Sequence, residues 1–315
     1  MNMKLSHVLE RNAKKIVLGT AGIGGVWGKV QPDESVRTIL GALEHGLDVL
    51  DTAPSYGDAE QFIGEALKKW RGKRPQISTK VGRLKSYAAH EGIYDYSLSG
   101  MESSVGNSLK EMGIDAIDVL FLHEPDAVPK DRKEQVIETM IGFKKRGLAH
   151  RIGVGGNYPP SFRPFIKQGI FDVVMEFNRL NVCCLDALDS GLKHAGGAGG
   201  ARDAGAECWI ASPLYMGLLG RRYEEFQANR PEWLPARHLA LARSAKEIAD
   251  SEHISLTALA HRFLLNIPYP FHIVIGAANG EELRDTLSGI GAGPLDEGIY
   301  NKIVNRILKE QHVNS

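Results

Sequence analysis

Side chains able to move protons stand at the ends of three consecutive apolar runs. Leu47-Asp48-Val49-Leu50-Asp51 ends in an acid, and the short segment Thr52-Ala53-Pro54-Ser55-Tyr56-Gly57 brings a tyrosine directly after it. Gln76-Ile77-Ser78-Thr79-Lys80-Val81 closes on a lysine, and Ile117-Asp118-Val119-Leu120-Phe121-Leu122-His123 runs into a histidine. An ammonium at the end of an apolar strand is costly to bury alone, so Lys80 needs the carboxylate of Asp51. A free tyrosine titrates near about 10, too high for efficient proton exchange at neutral pH. An ammonium roughly 4 Å away, at an effective dielectric of about 20, favours the phenolate by on the order of 4 kcal/mol. That corresponds to roughly three pKa units. Asp51, Tyr56, Lys80 and His123 together are thus suited to general acid–base chemistry, with His123 offering a hydrogen bond to a substrate oxygen.

Such a unit requires that the strands be parallel neighbours with their ends at one mouth. Apolar strands are expected near 16–19, 47–51, 76–80, 117–122, 151–155, 171–175, 206–211 and 271–276. They alternate with amphipathic helical stretches at intervals of roughly thirty to forty residues, the pattern of repeated βα units. Eight units predict a closed (β/α)8 TIM barrel over residues 1–315, one domain of the α/β class with its chemistry at the C-terminal strand ends. Asp33, Ser99 and Asp131 are the expected caps of helices ending near Glu44, Met112 and Lys145. Segments 82–97 and 213–235 exceed ordinary connections and are expected to shape a substrate site. The glycine-rich stretch from Ala195 to Ala201 reads as a flexible surface insertion on the side away from the chemistry.

Lys+Arg and Asp+Glu balance at 38 each in the 315 residues, so no global field favours nucleic acid or an anionic membrane. Cys183, Cys184 and Cys208 have neither metal-ligand nor disulfide-framework spacing. No pair of His or Asp recurs at metal spacing across strand ends, so no metal site is expected. The polar, mixed-charge stretch from Met1 to Lys15 and the lack of an eighteen-residue apolar run predict a soluble cytoplasmic protein.

The set Asp51, Tyr56, Lys80 and His123, in this order and each in its own strand-end motif, resembles the aldo-keto reductases over nearly the whole chain. The resemblance implies that these residues form the catalytic tetrad around a nicotinamide cofactor lying across the barrel mouth. Arg151-Ile152-Gly153-Val154-Gly155-Gly156-Asn157 is similar to the family's fifth strand, which ends in Ser-Asn at the nicotinamide carboxamide. Asn157 keeps the amide here and the serine is missing. Met175 stands where the family has a glutamine, leaving Asn178 as the nearby amide. Ser212 and Leu214 match positions at the pyrophosphate, whereas Ala211 replaces a tyrosine that stacks on the nicotinamide in many relatives.

The eighth strand leads through Gly276 and Ala277 into Ala278, Asn279 and Glu282, which the resemblance places at the adenosine end. NADPH-using relatives carry cations at the positions of Ala278 and Glu282 to clamp the 2'-phosphate. An apolar and an acidic residue there favour NAD over NADP, with Arg284 as a remaining cation. Ala211-Ser212-Pro213-Leu214-Tyr215-Met216-Gly217-Leu218-Leu219, with Pro231-Glu232-Trp233 downstream, resembles the branch that contains L-galactose dehydrogenase and D-threo-aldose 1-dehydrogenase. The expectation is an NAD-dependent oxidation of an aldose at C1 to its lactone. The nearer alternative is an NADPH-dependent reductase of small aldehydes or ketones using the same residues in reverse. A non-catalytic nicotinamide-binding regulatory barrel is the rival from another class, and the intact tetrad argues against it. Trp27, Tyr87, Tyr94 and Trp233 lie on loops expected at the mouth and are candidates to stack on a sugar or small carbonyl substrate.

Overall fold

The computed structural model describes residues 3–12, 14–190 and 205–312. Its strands are β1 (Lys14–Gly19), β2 (Val49–Asp51), β3 (Gln76–Val81), β4 (Ile117–His123), β5 (Ala149–Gly155), β6 (Val173–Phe177), β7 (Glu207–Ala211) and β8 (Phe271–Gly276). They close into a barrel in sequence order, with β8 returning to pair in parallel with β1. The predicted (β/α)8 architecture is the one observed.

The alternation along each strand explains the closure. Val17, Val49, Val119, Phe121, Val173, Met175, Trp209 and Val274 form one buried cluster inside the barrel. Their neighbours Leu18, Leu50, Ile77 and Ile210 belong to a second cluster packed beneath the helices. Strands buried on both faces read as nearly continuous apolar runs, as these do. Phe121 and Trp209 meet edge to face with ring centres 5.4 Å apart, and Trp209 stacks on His272 at 5.2 Å. A Cβ on Gly153 would come within 2.6 Å of the Phe121 ring, so the missing side chain is what lets the phenyl fill the interior.

β6 begins and ends two residues later than the apolar run suggests. Asp172 is the cause: its carboxylate accepts from the Ile152 amide at 2.9 Å and from Lys144 at 2.7 Å. The strand therefore starts only at Val173 and carries Phe177 to the mouth. Helix caps also differ from expectation. Pro32–Glu44 begins at Pro32, whose fixed φ suits a first helical turn, and Asp33 lies inside it. Ser97 rather than Ser99 caps Leu98–Met112, its Oγ accepting from the Gly100 amide at 3.1 Å. Asp131 sits in a short 3-10 turn, Lys130–Arg132, ahead of Lys133–Lys145 and makes no cap. The glycine-rich stretch at 195–201 lies outside the described residues.

Segment 82–97 folds back on itself as a small hairpin. Leu84 donates its amide to the Ile93 carbonyl at 2.8 Å and Asp95 to that of Gly82 at 2.8 Å. Segment 213–235 holds a 3-10 turn, Tyr215–Gly217, and a short helix, Tyr223–Ala228. Among the described residues no helix is long and apolar enough to cross a membrane.

Candidate active site

Parallel register brings the acid and the lysine together. Asp51 of β2 lies opposite Ser78 of β3, and Lys80, two residues further on, emerges from the same face of β3. The Lys80 ammonium donates to both Asp51 oxygens, at 2.9 and 2.7 Å, and to the Thr52 carbonyl at 2.8 Å. Ser78 Oγ adds a bond of 2.7 Å to Asp51 Oδ1. Asp51 and Lys80 are each 2% exposed, so the pair is closed off and its groups are satisfied by one another, the condition under which a buried ion pair is tolerable.

Tyr56 is held above this pair by backbone contacts. Its amide bonds the Ala53 carbonyl at 3.0 Å, and Gly57 next to it bonds the Ser86 carbonyl at 3.1 Å. The loop after β1 passes so close that a Cβ on Gly24 would lie 1.8 Å from the Tyr56 carbonyl oxygen. The Lys80 nitrogen is 4.7 Å from the centre of the Tyr56 ring. Across the mouth, the rings of Tyr56 and His123 meet edge to face, 6.1 Å between centres. The structure thus brings all four sequence-derived candidates to one place.

Their proton affinities follow from this enclosure. Burial pushes the Tyr56 phenol above its ordinary value, and Asp51 adds to the push, while Lys80 and Arg83 pull against it and lose. The lowered phenol expected from the ammonium alone is not found, because desolvation outweighs it. Burial works against the Lys80 ammonium, but Asp51 and Tyr56 hold it above the usual lysine value. Burial, with the charges of Lys80 and Arg83, keeps His123 well below its ordinary value, and the ring is neutral at pH 7. His123 Nδ1 is buried without a partner. An orphaned N–H would cost more than an orphaned lone pair, which assigns the ring proton to Nε2.

Around this centre the structure distributes the expected cofactor residues differently. Asn157 Oδ1 accepts from the Phe177 amide at 3.3 Å. Asn178 adopts a left-handed conformation, φ 58°, and its side-chain oxygen is buried with no partner. An unsatisfied acceptor at the β6 mouth fits a carboxamide donor. Phe177 pairs in register with Ala211 and packs on the inner cluster, an aromatic beside the position where the expected tyrosine is absent. Ser212 Oγ is engaged by the Met216 amide at 3.0 Å. Ser212, Tyr215 and Met216 all have positive φ, and such strain persists only where the surroundings fix it. Leu214 turns its carbonyl to the amides of Gly217 and Leu219, each at 3.0 Å.

At the β8 end, open space lies over Gly276. Asn279 Oδ1 caps helix Gly280–Gly291, accepting from the amides of Glu281 and Glu282 at 3.1 and 2.9 Å. Glu282 folds back so that Oε2 accepts from the Ala278 amide at 2.9 Å, while Oε1 is 3.8 Å from Arg221. Arg221 was not singled out by sequence reasoning. Arg284 lies near Gly280, its guanidinium 3.4 Å from where a Cβ would stand.

Of the aromatic candidates, Tyr87 is 59% exposed and donates to Asp58 Oδ1 at 2.8 Å, just beyond Tyr56. Tyr94 donates to Glu124, the residue after His123. Trp27 is on the same loop as Gly24 and half exposed. Trp233 packs instead on Tyr215 and Phe226, with ring centres 6.1 and 5.7 Å away. Two more residues at the mouth were missed, Arg83 and Glu124, paired at 2.7 Å. Their signal was position: each follows within three residues of a strand-ending candidate. Among the described residues no cluster of His, Cys, Asp or Glu could hold a metal ion.

A closed parallel barrel with a buried acid–lysine pair, a tyrosine and a neutral histidine at the C-terminal mouth defines a class. Residues 15–305 match the model of the aldo/keto reductase family, and the chain belongs to that family of nicotinamide-dependent oxidoreductases. It is similar to L-galactose dehydrogenase of Arabidopsis thaliana, 26% identical over 282 residues that cover 86% of this chain and 82% of that one. It is also similar to the NADH-specific methylglyoxal reductase of Escherichia coli, at 28% identity over 87% of this chain and 88% of the other. Among solved structures, a holo-form aldo-keto reductase from Bacillus halodurans superposes with a TM-score of 0.74. That alignment covers 93% of this chain and 91% of the other at 22% identity.

Proposed function

We propose that this protein is an NAD-preferring aldo-keto reductase that interconverts an aldose and its lactone at C1, with Asp51, Tyr56, Lys80 and His123 as its catalytic residues. The observation that carries the reading is the closed Asp51–Lys80 pair beneath Tyr56, facing a neutral His123. A nicotinamide dinucleotide held near Asn157 and Asn178 would supply or take the hydride. Tyr56 moves the proton: in reduction its phenol protonates the carbonyl oxygen, and in oxidation the phenolate takes the proton of the anomeric hydroxyl. Lys80 stays charged through Asp51 and lowers the cost of the phenolate at the moment it forms. His123 donates from Nε2 to the same substrate oxygen and, being neutral, does not compete for the proton.

Asn157, Asn178 and the open space over Gly276 suit a nicotinamide dinucleotide across the mouth. Glu282, folded onto the Ala278 amide, is an acid at a position where NADPH-using relatives carry a cation, which supports NAD. The similarity to L-galactose dehydrogenase supports a sugar substrate; the similarity to methylglyoxal reductase supports a small aldehyde as the second reading. Absorbance of the reduced nicotinamide, followed while the purified protein meets NAD and a panel of aldoses, decides between them. Formation of NADH with one aldose supports the proposal, whereas silence on every sugar with NADH-dependent reduction of methylglyoxal assigns the second reading.

A further inference from the structure

Resting on that reading, we propose that Glu124, held by Arg83 and Tyr94, is the residue that selects polyhydroxylated substrates. Glu124 is the first residue beyond His123 and takes a left-handed backbone, φ 49° and ψ 64°, a conformation unfavourable for a non-glycine side chain. Tyr96 Oη stabilises it by donating to the carbonyls of His123 and Glu124, at 2.7 and 2.9 Å. The backbone is thereby fixed one residue past the histidine, and Arg83, the partner of this carboxylate, is near enough for its charge to act on both Tyr56 and His123.

The carboxylate is oriented on both sides. Arg83 Nη1 donates to Oε1 at 2.7 Å, and the Tyr94 hydroxyl donates to Oε2. Arg83 is itself fixed, its Nη2 bonding the Ala89 and Glu91 carbonyls at 2.7 and 2.8 Å. These bonds tie hairpin 82–97 to the end of β4. The Arg83 side chain is 11% exposed, but that of Glu124 remains 30% exposed, so each oxygen has a lone pair left for a donor arriving at the mouth. A preoriented carboxylate with free lone pairs recognises hydroxyl groups, two at a time on adjacent carbons. An aldehyde without hydroxyls gives it nothing and leaves it desolvated, and sites of this kind reject the deoxygenated analogue.

The test compares D-glyceraldehyde with propanal, which share a chain length and differ by two hydroxyls, as NADH-dependent substrates of the whole protein. The wild type should show a higher kcat/KM for glyceraldehyde. In Glu124→Gln the ratio of the two kcat/KM values should fall about 10- to 100-fold, the usual worth of a hydrogen bond to a charged acceptor. Because Glu124→Gln strands the Arg83 charge, the double change Arg83→Met, Glu124→Gln is measured beside it and should show the same fall. An unchanged ratio in the folded variants, or a wild type with no preference for glyceraldehyde, overturns the assignment of Glu124 while leaving the oxidoreductase reading standing. A wild type that reduces neither aldehyde and oxidises no aldose overturns both.

Discussion

Tyr56 and His123 face one another edge to face across the barrel mouth, 6.1 Å between ring centres and 89° between planes. One ring is raised in proton affinity and the other lowered, so at neutral pH the phenol carries a proton and the imidazole is uncharged. On the proposed reading the two rings would have separate roles, Tyr56 exchanging the proton and His123 steadying the oxygen that receives it.

Tyr56→Phe should therefore lower turnover by about two to four orders of magnitude, the usual contribution of general acid–base catalysis. Nucleotide binding, followed by fluorescence titration, should be nearly unaffected. Turnover at the wild-type level in this variant would remove Tyr56 from the mechanism.

Direction should depend on pH. In the proposed mechanism reduction would use the protonated phenol, and because that phenol is raised above the ordinary tyrosine value, the reductive rate should stay level through neutral pH and decline only in strong alkali. Oxidation would use the phenolate and should climb with pH over the same range. Parallel profiles for the two directions would contradict a role for Tyr56 in both.

Lys80→Met leaves the Asp51 carboxylate buried without its partner. Removing one member of such a pair costs about 3–5 kcal/mol, and the loss should appear in urea unfolding. The double variant Asp51→Asn, Lys80→Met should recover much of it without recovering activity. Equal destabilisation of the single and double variants would mean that the ion pair is not what suffers.

Glu60 supplies a pH dependence independent of catalysis. It is 4% exposed, accepts from Thr79 Oγ1 at 2.6 Å, and burial raises its pKa from 4.5 to about 7. A carboxylate raised on folding stabilises the protein fully below its unfolded value, and that stability fades as pH rises through the folded value. Unfolding free energy should drop by about 3 kcal/mol between pH 4.5 and pH 7 on this account. Glu60→Gln should flatten the drop, and a variant with the wild-type slope would assign it to other groups.

On the proposed reading cofactor choice would rest on Ala278 and Glu282. NAD should bind more tightly than NADP, and Ala278→Lys with Glu282→Arg should shift preference toward NADP by about 1.5–3 kcal/mol per charge-assisted bond gained. Tighter NADP binding by the unchanged protein would point to Arg221, 3.8 Å from Glu282, or Arg284 as the cation that reaches the phosphate.

The strand ends were legible because a buried strand that terminates in a charge is rare, and Asp51, Lys80 and His123 each announce one. The barrel followed from their spacing. The shift of β6 was hidden because Asp172 acts through bonds to β5 and Lys144, contacts between elements distant in sequence. The raised phenol of Tyr56 was hidden for a similar reason: the ammonium is visible in the sequence, but the depth of burial that outweighs it is a property of the closed barrel. Arg83 and Glu124 sit one step past the motifs, and only the hairpin at 82–97 reveals that they meet.

Inside the barrel Phe121 meets Trp209 edge to face and Trp209 stacks on His272, and Phe121 and Trp209 are fully shielded from water. Traffic through the site is therefore one-ended. On the proposed reading both reactants would arrive by the mouth that holds Tyr56, and the proton given up there would depart by the same opening. Whichever ligand lies deeper must enter first and leave last. Loading in a fixed sequence, visible as one-sided product inhibition, is the kinetic mark that this aromatic stopper would impose.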